Sequence, residues 1–104
     1  MPVLHPIVQA ATLLTSGSGT PKEKLVLGGK LIWIARAIRG DWTPDLLERA
    51  NRIYHGLLQG STLKKAVEEM DDNAANKCLT QLTKDTVELA AEFELVRGQG
   101  RQHR

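Results

Sequence analysis

Cysteine, aromatic residues and long apolar runs are all scarce in this chain, and each shortage removes a class of answer. A single cysteine, Cys78, leaves no internal disulfide to staple the fold, which fits a reducing compartment. Only Trp33, Trp42, Tyr54 and Phe93 carry aromatic rings, so the core must be built from Leu, Ile, Val and Ala, as in helical bundles. The longest apolar stretch, Leu25 to Ile38, is 14 residues and contains Lys30 and Arg36. That is short of the ~20 residues needed to cross a bilayer. The stretch Met1-Pro2-Val3-Leu4-His5-Pro6 lacks the basic segment of a secretory signal. A cytoplasmic location is the expectation, with no membrane partner.

Charge of one sign is missing too. The net charge is +2, with 14 basic and 12 acidic side chains. That is not the footprint of a strong nucleic-acid binder. The distribution is uneven: residues 1–40 carry five basic and one acidic side chain, whereas residues 41–104 carry nine basic and eleven acidic. Arg97, Arg101 and Arg104 form a C-terminal run with no acid among them.

What is present is helical. At 104 residues the chain makes one domain, expected over residues 1–97, with 98–104 as a flexible basic tail. The fold class is all-α, a bundle of four to five helices around a central apolar helix at 21–39. Thr20 and Glu23 have capping-box spacing, Pro21 suits the first helical position, and Arg39-Gly40 suits the end. Leu27, Leu31, Ile34 and Ile38 recur at 4-3-4 spacing and make one continuous stripe, and the stretch as a whole is expected to be the most buried. Gly28-Gly29 is the competing signal. Each glycine costs a helix interior roughly 1 kcal/mol against alanine, and Gly-Gly between apolar arms also fits a hairpin over 24–34. The caps and the lack of alternation favour the helix, in which the glycines would let a neighbour come close.

The remaining elements follow from periodicity. Residues 6–15 suit a short helix with Ile7, Ala10, Ala11 and Leu14 on one face. Ser16-Gly17-Ser18-Gly19 is a link. Thr43-Pro44-Asp45 opens a helix at 44–59 with a stripe of Leu46, Ala50, Ile53 and Leu57. A helix at about 62–70 places Leu63, Ala66, Val67 and Met70 together. The last and longest helix, 73–97, carries Ala75, Leu79, Leu82, Thr86, Leu89, Phe93 and Val96 in heptad spacing. Such a seam must be covered, either by a second copy of the chain or by residues 6–15 folding back.

No chemistry assembles. The glycine and serine residues before Thr20 match neither a phosphate-binding loop nor a dinucleotide fingerprint. Asp71-Asp72-Asn73 fails the calcium-loop pattern at its fifth position. His5, His55 and His103 are far apart, and no acid or cysteine stands at ligand spacing beside His55. Cys78 lies beside Lys77 near a helix start, yet also on the apolar flank with Leu79 and Leu82, which favours a buried thiol. No catalytic, metal or cofactor role is expected.

The reading is therefore a non-enzymatic helical interaction module that self-associates as a homo-oligomer. The association would run through the last helix or through surplus apolar surface of the central one. Trp33, Leu79, Leu82, Leu89 and Phe93 are the expected contacts. The alternative is a small nucleic-acid-binding regulator. Residues 62–84 have the outline of a helix-turn-helix, although the turn lacks its usual glycine. Asn76, Lys77, Gln81 and Lys84 would contact the nucleic acid, with Arg97, Arg101 and Arg104 on phosphates.

Overall fold

A computed structural model describes residues 5–16, 19–38, 42–58 and 60–102, with side chains described as far as Val96. Five helices follow one another: α1 (Pro6–Thr15), α2 (Pro21–Ala37), α3 (Pro44–Leu58), α4 (Leu63–Glu68) and α5 (Asp72–Gln102). The described residues contain no strand, so 24–34 is helix and not hairpin.

The caps explain where the helices start. Thr20 Oγ1 accepts from the Glu23 N–H at 3.2 Å, and Glu23 Oε2 accepts from the Thr20 N–H at 3.3 Å, completing the expected capping box. Thr43 Oγ1 accepts from Leu46, Thr62 Oγ1 from Lys65, and Asp71 Oδ1 from Ala74. Helix α1 is capped differently: His5 Nδ1 accepts from the Ile7 N–H at 3.2 Å. Gly60, at φ 79°, supplies the left-handed turn after α3.

Helix α2 is central, as expected, and α1, α3, α4 and α5 all pack on it. The 4-3-4 stripe is not its buried face. The buried face is Leu25, Gly28, Gly29, Ile32 and Ala35. Leu27, Ile34 and Ile38 are exposed and Leu31 is half-buried. The reason is crowding. Leu14 of α1 sits where a Cβ on Gly28 would stand, 2.8 Å from that position. Leu57 and Leu63 likewise fill the space over Gly29, at 2.9 Å. Several neighbours can press on one helix only where its side chains are small.

Helix α5 spans the molecule. Its 31 residues reach about 46 Å at ~1.5 Å per residue, close to the longest dimension of 49 Å. The heptad seam faces inward: Ala75, Leu82, Thr86, Leu89 and Phe93 are buried, and Leu79 packs against the core. Helix α1 folds back and packs on both α2 and α5, burying Ile7, Ala10 and Leu14. The seam is covered from Ala75 to Phe93 by the chain's own α1, α2 and α3, and Val96 at its end is exposed. At the distal end, His5, Trp42 and Phe93 form an aromatic cluster with centroid separations of 4.4 to 5.6 Å. Trp42 Nε1 donates to the Ala35 carbonyl at 2.8 Å and ties the cluster to the end of α2.

Some boundaries differ from expectation. Helix α2 stops at Ala37 and α4 at Glu68, while α5 continues past 97 to Gln102. The helix therefore includes residues 98–102, which were assigned to the basic tail. Arg39 and Gly40, read as the end of α2, lie outside the described residues, as do Gly17 and Ser18 of the link.

Candidate docking surface

Because α2 turns its small residues inward, its large ones are left outside. Leu27 is 49% exposed, Trp33 49%, Ile34 44% and Ile38 40%. On a helix at 100° per residue, Leu27, Leu31, Ile34 and Ile38 fall within a narrow arc, and Trp33 lies about a third of a turn away. The arc between them holds Val26, Lys30 and Ala37. A helix apolar all round is one that expects burial on every side, and within this chain only one side is buried.

The surface continues into a groove between α2 and α4. Its volume is about 590 Å³. Val26 and Leu27 from α2 and Leu63 and Val67 from α4 make the apolar floor, while Lys22, Glu23, Lys30, Lys64 and Glu68 stand round the rim. Leu27 belongs to both groove and stripe, so the two form one apolar surface. Lys24 turns away from it and donates to the Ser16 carbonyl.

Trp33 borders a second feature. The Arg36 guanidinium lies 6.0 Å from the Trp33 ring and 5.3 Å from the Tyr54 ring. Its Nη1 donates to Asn51 Oδ1 at 3.2 Å, and its Nε is buried without a hydrogen-bond partner. Tyr54 also meets His55 edge-on at 5.9 Å, which accounts for that histidine as a surface residue. Trp, Tyr and Arg are the residue types that concentrate binding energy at interfaces.

Of the expected contact residues, only Trp33 is on this surface. Leu82, Leu89 and Phe93 are buried in the core, and Leu79 packs against it. These positions therefore serve the core of the monomer, where α1, α2 and α3 all pack on α5, while Val96 of the same seam is exposed. Leu27, Ile34, Ile38, Arg36 and Tyr54 were not chosen from the sequence as contacts. The signal that finds them is a helix carrying apolar residues on more faces than one core can cover. Helix α5 exposes further apolar side chains at Val87, Leu95 and Val96.

Asn76, Lys77, Gln81 and Lys84 are exposed on α5, as the nucleic-acid alternative needs. The face is not uniformly cationic, since Gln81 Nε2 donates to Asp85 Oδ1 at 2.9 Å. The side chains of Arg97, Arg101 and Arg104 lie outside the described residues. Arg49 is held by Glu92 in a surface ion pair, a kind of contact that contributes little to stability.

Burial pushes the Cys78 thiol up from its ordinary value near 9.0. That opposes the activation its helix position and Lys77 suggested. Among the described residues, no three of His, Cys, Asp and Glu come together to hold a metal ion. No helix of the described residues is long and apolar enough to cross a membrane. Comparison with protein-family models, with curated proteins and with solved structures finds no match for this chain.

Proposed function

We propose that this chain is a non-enzymatic protein–protein interaction module, and that it docks through the outward face of α2. One observation carries the reading: Leu27, Trp33, Ile34 and Ile38 are all exposed on the helix that the other four pack around. With side chains of about 200 Å² each, they present on the order of 400 Å² of apolar surface, in the range that marks functional patches on monomers. The adjoining groove and the Trp33–Arg36–Tyr54 group add shape and a polar anchor.

Hydroxyl-radical footprinting of the dilute full-length chain, with the sedimenting mass measured on the same sample, tests the reading. Leu27, Trp33 and Ile34 are expected to label as exposed residues, while Trp42 and Phe93 stay protected. Protection of Leu27, Trp33 and Ile34 in a sample that sediments as a monomer would overturn it, because the face would then be covered by the chain's own residues.

The nucleic-acid alternative rests on the exposure of Asn76, Lys77, Gln81 and Lys84. It requires duplex binding that weakens steeply with salt and disappears in a Lys77→Glu, Lys84→Glu double variant. Fluorescence anisotropy with a mixed-sequence duplex reads both.

A further inference from the structure

We propose that the occupant of this face is an acidic amphipathic helix of a partner protein, which sets an apolar side chain in the α2–α4 groove and a carboxylate on the guanidinium of Arg36. The proposal rests on the docking reading above and names its partner.

Arg36 is half-buried, and among the described residues no carboxylate pairs with it. Its Nη1 donates to Asn51 Oδ1 at 3.2 Å, and its Nε is buried with no acceptor. Charged side chains are seldom drawn from water without a counterion, because desolvation disfavours the unpaired charge. The Trp33 and Tyr54 rings, 6.0 and 5.3 Å from the guanidinium, and the bond to Asn51 limit its movement. Its Nη2 has no partner among the described residues. A guanidinium held in this way presents a planar fork that matches the two oxygens of a carboxylate.

The charge of the face has the same sign. From Lys24 to Ile38 the chain carries Lys24, Lys30 and Arg36 and no acid. Lys24 turns to the Ser16 carbonyl, which leaves Lys30 and Arg36, both cationic. At the groove, Glu23 already accepts from the Thr20 N–H, and Lys22, Lys30 and Lys64 stand against the one remaining carboxylate, Glu68. A partner with acids at its edges complements these cations. A phosphate backbone would meet them too, but would leave the apolar floor of Val26, Leu27, Leu63 and Val67 uncovered. An amphipathic helix supplies both chemistries.

The geometry sets the spacing. On α2, Lys22, Val26, Lys30 and Trp33 fall within about 80° of one another, and Arg36 lies about 60° beyond Trp33. Groove, Trp33 and Arg36 thus form one track along the helix. Val26 and Arg36 are ten residues apart, about 15 Å at ~1.5 Å per residue. A helix lying on this track carries its apolar anchor and its acid about ten residues apart. The exposed apolar area, on the order of 400 Å², is about half of the ~800 Å² per partner in a complex of two folded proteins. It suits a single helix laid in a groove with anchors at i, i+3, i+4 and i+7.

The probe is a displayed library of 18-residue helices with a fixed leucine stripe, each polar position varied among Glu, Gln and Lys, selected on the full-length chain. Enriched peptides are expected to carry Glu about ten residues from an anchor leucine. By fluorescence anisotropy, changing that Glu to Gln should weaken binding roughly tenfold or more. The Glu–Gln difference should vanish on Arg36→Ala and shrink on Arg36→Lys, which loses the fork. Leu27→Glu should weaken both peptides. Asp41, the acid nearest Arg36 in sequence, lies outside the described residues, and Asp41→Asn should leave the Glu preference in place.

Equal binding of Glu and Gln peptides to the wild type overturns the proposal, as does a Glu preference that survives Arg36→Ala. A preference that appears only in Asp41→Asn also overturns it, because the chain's own acid then fills the fork. If no library member binds while Leu27, Trp33 and Ile34 are labelled in the monomer, the acidic helix is excluded and the docking reading stands. If those residues are protected in the monomer, both fail. Protection of the same residues in a chain that sediments as a dimer overturns the proposal in favour of a second copy.

Discussion

Gly28, Gly29 and Gly56 all lie inside helices, and replacing each by alanine tests how α2 is turned. In an unstrained helix interior the change stabilises by roughly 1 kcal/mol, through helix propensity and a less flexible unfolded chain. Gly56 in α3 should show the whole gain, because a Cβ there meets nothing within 4 Å. At Gly29 the same Cβ would stand 2.9 Å from Leu57 Cδ2 and from both δ-carbons of Leu63. Those leucines are buried and come from opposite ends of the α3–α4 connection, so both must shift at once to admit the Cβ. Overpacking of this kind costs about 1–3 kcal/mol, which outweighs the gain and leaves Gly29→Ala roughly 1 kcal/mol below wild type. Gly28→Ala falls between, since its Cβ meets Leu14 alone, at 2.8 Å from Cδ2. Urea unfolding followed by circular dichroism reads the order. With a slope of about 1–2 kcal/mol per molar, the midpoints of Gly56→Ala and Gly29→Ala should lie about 1 M or more apart, on either side of wild type. A Gly29→Ala chain as stable as wild type would refute the inward placement of the glycine face, and with it the outward placement of Leu27, Ile34 and Ile38.

Thr86 is fully buried and its Oγ1 has no hydrogen-bond partner. Thr86→Val keeps the shape, removes the unsatisfied hydroxyl and should raise unfolding stability by about 1 kcal/mol; a loss in the same urea assay would mean that the hydroxyl is bonded. Phe93→Ala should cost about 3–5 kcal/mol, whereas Trp33→Ala in dilute monomer should cost no more than about 0.5 kcal/mol. Equal losses would contradict the assignment of Phe93 to core and Trp33 to surface. Cys78 should react with a disulfide reagent at pH 8 at least tenfold more slowly in the native than in the urea-unfolded chain, because burial raises its thiol. The sign for stability follows: a group raised on folding stabilises fully below its ordinary value near 9.0, and that contribution is lost as pH rises through the folded value. Cys78→Ser should remove that component of the alkaline loss, and an unchanged pH profile would exclude it.

Much of the fold was legible because local and global signals agreed. Thr20, Thr43, Thr62 and Asp71 each announce a helix start and each accepts the expected backbone N–H. The stripes of α3 and α5 have polar opposite faces, so periodicity alone told inside from outside. His5 was not legible as a cap, since histidine is not among the usual capping residues, and its place depends on the distant rings of Trp42 and Phe93. The sequence pattern placed the end of α5 near 97, where the heptad stripe runs out, and the helix continues to Gln102. As for the site, the sequence reading named the apolar surplus of α2 and Trp33. It placed the remaining contacts on α5, where α1, α2 and α3 pack against it.

Helix α2 shows what periodicity alone does not decide. Both of its faces carry apolar residues at helical spacing, Leu27, Leu31, Ile34 and Ile38 on one side, Leu25, Ile32 and Ala35 with two glycines on the other. Transfer free energy favours burying the bulkier side, at about 25 cal/mol per Å². Packing chose the other, because α1, α3, α4 and α5 converge there and Leu14, Leu57 and Leu63 occupy the space that larger side chains on α2 would need. Close approach of several helices buries more area in total than any single bulky stripe could. The bulky stripe is what remains once that constraint is met, and it leaves apolar free energy of association unspent by the monomer. Polar residues at positions 27, 34 and 38 would leave the buried face of α2, Leu25, Gly28, Gly29, Ile32 and Ala35, in place. That these positions are Leu, Ile and Ile is the physical ground for looking on this face for a partner.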